Sequence, residues 1–228
     1  MSLVSQRSFD AVLLDWCGTL VEYPRMEDRF RPVLRRLGRP HDDASVAELA
    51  TAFREAEQHP IAIESDRRCD LSAENHRATK LLICDLAGID HELAVEIERS
   101  YGDFATYPTY PEVIDVVTTL ATNDVKVAIV SDFHKDLRPH LDSLGLSELI
   151  SGFALSCEVG ATKPDPSMFR VALEAVDVEP ERCLMVGDNP TPDTGAAALG
   201  IATLILPLQR HSRPPLLERV LPLVFSSR

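Results

Sequence analysis

Short apolar runs closed by a polar residue recur along the chain. Ala11-Val12-Leu13-Leu14 ends at Asp15, and Val125–Val130, broken only by Lys126, ends at Ser131 and Asp132. Phe153-Ala154-Leu155 ends at Ser156, Cys183-Leu184-Met185-Val186 ends at Gly187 and Asp188, and Ala202–Leu206 ends at Pro207. Runs of this length without alternation suit strands buried on both faces of a parallel sheet. Between the later runs the period changes to that of a helix. Val113, Val116, Val117 and Leu120 form one apolar face; Leu137, Leu141 and Leu144 form a second, stopped by Gly145; Phe169, Leu173 and Val176 form a third. Gly195–Leu199 is a shorter, alanine-rich face. Strand, helix, strand in repetition predicts βαβ units and a doubly wound, Rossmann-like α/β domain with a parallel sheet.

The stretch from about Leu20 to Pro108 carries no strand pattern. Phe30, Val33, Leu34 and Leu37 make one helical face, and Val46, Leu49, Ala50 and Phe53 a second. Ala78, Leu82 and Leu86 make a third, capped by Ser72; Leu93, Ile97 and Tyr101 make a fourth, with Asp90 as N-cap. Four helices on short links predict a small bundle, with Glu57–Asp70 as a connecting loop. The expected organisation is therefore an α/β core from residues 1–20 and 109–228 and an all-helical insertion over 21–108. The tail from Arg210 is Pro-rich and then apolar, and predicts a docking helix ended by Pro222.

With 228 residues the chain is long enough to bury a sizeable core without disulfides or metal staples. Its 45% hydrophobic and 26% charged composition is that of a globular protein. The longest apolar runs, such as Ile201–Leu208, fall short of the roughly 18–20 residues that span a bilayer, so no membrane partner is expected. Asp10 and Asp15 interrupt the early apolar stretch, which makes a poor signal peptide. Five cysteines, Cys17, Cys69, Cys84, Cys157 and Cys183, stand singly, which fits a reducing, cytoplasmic setting. The formal net charge of −13 argues against nucleic-acid binding. It would also repel small phosphorylated ligands, unless a cation or a lysine reversed the field locally.

In an open parallel sheet, ligands bind beyond the carboxyl ends of the strands. Asp15, Ser131 and Asp188 close three of the runs, and Gly160-Ala161-Thr162-Lys163-Pro164-Asp165 follows a fourth. Taken singly, each residue has an ordinary reading as a cap or a solvated charge. Together, and in this order, they put two carboxylates, a hydroxyl and an ammonium at one mouth.

Asp15-Trp16-Cys17-Gly18-Thr19, then Ser131, then Lys163-Pro164-Asp165, then Gly187-Asp188 with Asp193 resemble the four ordered motifs of the haloacid dehalogenase-like hydrolases. The resemblance spans nearly the whole chain, and the helical insertion after the first motif resembles that family's C1-type cap. It implies a hydrolase, phosphatase-like, in which Asp15 is the nucleophile and forms an aspartyl intermediate. Gly18 and Thr19 bring backbone amides to the phosphate, and Ser131 and the amide of Asp132 hold a phosphoryl oxygen. Lys163 neutralises charge. Asp15, the carbonyl of Cys17 and Asp188 hold Mg²⁺, with Asp193 supporting from behind. The implied partner is a small phosphorylated metabolite, bound by a monomer or homodimer.

One position departs from the pattern. Phosphatases of the family usually carry Asp two residues after the nucleophile, as acid and base; here Cys17 stands there. A thiol has an ordinary pKa of about 8.5 and is a weak hydrogen-bonding group. Three readings follow: a slow Mg²⁺-dependent phosphatase, or one that borrows Glu22, His134, His59 or His76 as its acid; a haloacid dehalogenase or phosphonatase-like hydrolase; and a weakened member that binds a phosphorylated ligand. The phosphonatase reading needs a cap lysine, and Lys80 is the only lysine of the insertion.

Overall fold

The computed structural model describes residues 7–206 and 216–226. In chain order the elements are β1 (Ala11–Leu14), α1 (Met26–Arg36), α2 (Asp43–Glu57), α3 (Pro60–Asp66), α4 (Ala73–Leu86), α5 (His91–Tyr101), α6 (Val113–Thr122) and β2 (Lys126–Ser131). There follow α7 (Arg138–Ser143), β3 (Gly152–Leu155), α8 (Ser156–Val159), α9 (Pro166–Val176), β4 (Cys183–Gly187), α10 (Pro190–Asp193), β5 (Ala202–Ile205) and α11 (Val220–Phe225). The chain divides into two compact units, Met1–Glu22 with Thr109–Arg228, and Tyr23–Pro108.

The first unit is a five-stranded, all-parallel sheet in the order β3-β2-β1-β4-β5. All four residues of β1 are fully buried, as expected for the middle strand of a sheet covered on both faces. On one face Ala11, Leu13, Val130, Met185, Phe169 and Ala172 form a single apolar cluster. Val113, Val116, Val117 and Leu120, the predicted face of α6, are likewise buried. The direction of winding reverses beside β1, where β2 and β4 flank it, and this is where such sheets open a crevice. The chain leaves and re-enters this unit at one point: Val21 and Thr109 form an antiparallel bridge, and the Tyr110 amide donates to Leu20 O at 3.0 Å.

The second unit is entirely helical, built on Phe30, Val33, Val46, Phe53, Ile83 and Ile97. It differs from the sequence reading in two ways. A fifth helix, α3, occupies the stretch read as the loop Glu57–Asp70; Pro60 starts it, and His59 caps it by accepting the Ile61 amide. The buried face of α4 is His76, Thr79, Lys80, Ile83 and Cys84, whereas Ala78 and Leu86 are exposed. Polar residues occupy most of that face, so hydropathy pointed to the wrong side of the helix. The N-caps Ser72 and Asp90 are as expected, accepting from Asn75 and Leu93 amides.

Leu216, Leu217, Val220 and Val224 of the tail are buried, and α11 continues through Pro222 instead of ending there, because the proline falls in its first turn. The Pro-rich part of the tail, from Arg210 to residue 215, lies outside the described residues, as does the start of the chain before residue 7. No described helix is long and apolar enough to cross a membrane. All five cysteines are free thiols.

At the amino edge of the sheet, Arg182 donates to Asp10 Oδ2 at 2.8 Å and to the carbonyls of Ser8 and Arg7, while Arg7 donates to Asp10 Oδ1 at 2.6 Å. Hydrogen bonding to Arg182, seconded by Arg7, pulls the Asp10 carboxyl down to about 2. A depressed carboxyl adds stability in full above its unfolded value, near 4, and loses it as pH falls toward 2. Asp10→Asn therefore lowers the urea midpoint at pH 7, and its deficit against the parent closes between pH 4 and pH 2. Urea titrations of both proteins across that range check this.

Candidate active site

The carboxyl ends of the strands deliver the polar residues to one place. Asp15 follows β1, with its amide donated to Val186 O of the neighbouring strand at 2.9 Å. Lys163 lies in the loop between α8 and α9, and its ammonium donates to Asp15 Oδ1 and to Asp193 Oδ1, 2.7 Å each. All three side chains are buried. The other Asp15 oxygen accepts from the Thr19 hydroxyl at 3.2 Å. Asp193 is fully enclosed, and its second oxygen accepts the Asn189 amide at 3.0 Å. Asp188, buried after β4, completes the group: ligand oxygens of Asp15, Asp188 and Asp193 lie within 4.8 Å of one another. Ser131 ends β2 and is buried at 2% exposure.

Two glycines shape the mouth. Gly18 takes φ +87°, a region open to glycine, and its amide closes a tight turn onto Val21 O at 2.7 Å. The amides of Thr19, Leu20 and Val21 all turn back to Trp16 O. The Gly18 and Thr19 amides are thus engaged inside the turn. Gly187 is required for a different reason: a Cβ there would stand 2.0 Å from Asp193 Oδ2. The Gly187-Asp188 pair is a close approach of β4 to the carboxylate that holds Lys163.

The electrostatics follow from crowding. Burial alone would lower the Lys163 ammonium, but the carboxylates of Asp15, Asp193 and Asp132 outweigh it and hold it above the ordinary lysine range. Burial raises Asp15, with Lys163 opposing and Asp193 adding. Burial first, then the charges of Asp15 and Asp193, push Asp188 up to about 7. Burial pushes Asp132 up to about 6 against the pull of Lys163. Four carboxyls face one ammonium. An excess of closely spaced hard oxygen donors suits a divalent cation such as Mg²⁺, and Asp15, Asp188 and Asp193 are the carboxylates that lie close enough together to share one.

Among the other groups weighed as acids, His134 is buried and packs on Phe133 with ring centroids 4.5 Å apart, and Glu22 is half-buried. Trp16 is fully buried between Phe133, at 4.6 Å, and His140, at 5.7 Å, so it is a packing residue of the α/β unit. In the helical unit, His76 stands 4.0 Å from Glu98 Oε1, and Lys80 3.7 Å from Asp66 Oδ1. The motifs did not signal two contacts: the Thr19 hydroxyl on Asp15, and the Asp132 side chain on the Lys163 amide, where Oδ1 accepts at 2.9 Å. A Thr four residues after an Asp was a usable signal for the first. The second joins positions 31 residues apart, which only the fold brings together.

The structure thus places a buried carboxylate–lysine–carboxylate bridge at the switch point of a parallel α/β sheet. The family model for haloacid dehalogenase-like hydrolases matches residues 9–200, and the chain belongs to that family. It is 38% identical over 115 residues to a phosphoserine phosphatase of Thermus thermophilus, covering 50% of this chain and 46% of that protein. It is 31% identical over 150 residues to the human haloacid dehalogenase-like hydrolase domain-containing protein 3, covering 60% and 59%. The match thus spans about half the length of these curated relatives. The fold is also that of an L-2-haloacid dehalogenase of Xanthobacter autotrophicus, with TM-score 0.62 at 19% identity over 87% of this chain and 77% of that one.

A carboxyl raised to about 7 costs stability wherever it must be ionised in the folded state. Without added metal, Asp188→Asn is expected to melt above the parent at pH 8. The gap narrows toward pH 4, where the unfolded carboxyl also holds its proton. Thermal melts of both proteins in chelator at the two pH values test this.

Proposed function

We propose that this hydrolase is a Mg²⁺-dependent phosphatase acting on a small phosphorylated metabolite through an aspartyl-phosphate on Asp15. The observation that carries the reading is the Lys163 ammonium held between Asp15 and Asp193 at 2.7 Å each, with the raised carboxyl of Asp188 beside them. A phosphoserine phosphatase and phosphoglycolate phosphatases among its relatives support it.

Asp15 has one oxygen against Lys163 and the other against the Thr19 hydroxyl. Both contacts keep it ionised for attack once a cation offsets the neighbouring charges. Its carboxylate displaces the leaving alcohol from phosphorus, and water then cleaves the acyl phosphate and returns the carboxylate. Lys163 faces the charge that builds on the phosphoryl oxygens, with Ser131 and the amide of Asp132 as the donors for one of them. Gly18 and Thr19 shape the turn beside the nucleophile. Asp193 keeps the lysine in place by accepting from it. Asp15, the carbonyl of Cys17 and Asp188 would hold Mg²⁺, which supplies positive charge for the phosphoryl group. Residues 23–108 act as the cap that selects what lies beyond the phosphate.

Cys17 supplies no strong acid at the position two residues past the nucleophile. Proton transfer by a placed group is typically worth 10²–10⁴-fold. Turnover of an aryl phosphate is therefore expected to be slow, to vanish in chelator and in Asp15→Asn, and to rise at least tenfold in Cys17→Asp. A steady-state assay of the three proteins with and without Mg²⁺ measures this. Absence of turnover in both parent and Cys17→Asp sinks the phosphatase reading. Metal-independent release of halide from a 2-haloacid would replace it with the dehalogenase.

A further inference from the structure

The mechanism above uses the main chain of Asp132 and leaves its side chain without a task. That side chain sits one residue past β2, and its Oδ1 accepts the amide of Lys163 at 2.9 Å. Lys163 is the residue whose ammonium reaches Asp15 and Asp193. One lysine is thus held at both ends: its main chain by the end of β2, its ammonium by the ends of β1 and α10. The other hydrogen bonds of this loop run within it and into the helices on either side: the Gly160 amide donates to Ser156 O of α8, the Asp165 amide donates to Thr162 O, and the Asp165 carboxylate caps α9 by accepting from Ser167. α8 in turn meets the chain after β2 where the Ser156 hydroxyl accepts the Phe133 amide at 2.9 Å, but the bond from the end of β2 to the Lys163 main chain itself is the one from Asp132.

This matters because a lysine stem has four rotatable carbons, and the place of its ammonium depends on where its Cα is fixed. The Asp132 side chain is short and stiff by comparison. Its second oxygen takes no hydrogen bond from the described residues, so the contact to Lys163 is the bond that orients it. The charged groups acting on it are the Lys163 ammonium and the carboxylates of Asp15 and Asp193.

We propose that Asp132 is a positioning residue for Lys163: its carboxylate oxygen anchors the Lys163 main chain to the end of β2 and so sets where the ammonium stands against Asp15. The proposal rests on Asp15 and Lys163 being the reacting pair. It distinguishes an acceptor from a charge. Asparagine offers an oxygen to the Lys163 amide at the same distance but carries no charge and transfers no proton, whereas alanine offers nothing.

The test compares the full chain with Asp132→Ala and Asp132→Asn, after thermal melts show all three folded. Two quantities are read: exchange of the Lys163 amide proton by NMR, and kcat and KM for an aryl phosphate with Mg²⁺. Asp132→Ala is expected to speed exchange of that amide at least tenfold and to lower kcat roughly 10- to 100-fold, with KM within about threefold, as misplacement of a catalytic group does. Asp132→Asn is expected to restore most of both. The proposal is overturned if alanine leaves the exchange rate unchanged, or if asparagine keeps the amide protected while kcat falls as far as in alanine. The latter would assign the charge or proton of Asp132 to the reaction itself. If the parent hydrolyses no phosphate ester, the phosphatase reading fails on its own, and the exchange comparison still decides whether Asp132 anchors the loop.

Discussion

The buried ammonium of Lys163 is the constraint around which the α/β unit is organised. A lone cation enclosed this far from water is untenable, and Asp15 and Asp193 make it tenable by accepting from it. Removing either partner of such a pair typically costs about 3–5 kcal/mol, because the remaining charge stays buried. Each partner carries further obligations. Asp193 also accepts the Asn189 amide, which shapes the start of α10, and its carboxylate fits only because Gly187 has no side chain. Asp15 also accepts from Thr19, which ties the turn after β1 back to the end of that strand. Three loops from three strands therefore meet through one nitrogen atom.

The balance of charge at that atom is deliberately incomplete. One ammonium cannot neutralise Asp15, Asp132, Asp188 and Asp193; burial first, and then the neighbouring carboxylates, raise Asp15, Asp132 and Asp188. An excess of negative charge at the mouth of an already acidic protein is unfavourable for folding and for capture of a phosphorylated ligand. The same excess would favour a hard cation, and a bound cation would reverse the local field toward anions.

Much of this architecture was readable in the order of residues. The strands ending at Asp15, Ser131 and Asp188, the faces of α6 and α9, and the caps Ser72 and Asp90 follow from periodicity and from donors left open at helix starts. Asp15, Lys163 and Asp188 were legible as a group because parallel strands must deliver their closing residues to one edge. The helical unit was less legible. The inner side of α4 is made of His76, Thr79 and Lys80, and hydropathy assigns such residues to solvent. The short helix α3 was hidden because its Ile61 and Ile63 are exposed and only Ala62 is buried, so no periodic apolar face marks it beyond a proline and a histidine cap. Contacts such as Asp132 to Lys163 depend on register between distant segments, which no local pattern encodes.

The bridge between Val21 and Thr109 has a consequence for how the molecule can be altered. The helical unit hangs from two backbone positions that already face each other across a strand-like pair. Closing that gap with a tight turn leaves every residue of the parallel sheet in its native connection, and the entropy of joining the ends is smaller than for the natural insertion. The insertion is in this sense a graft on a hairpin stem. It can be exchanged for another of different length without breaking a strand of the sheet, so the two units are free to diverge along separate lines of descent.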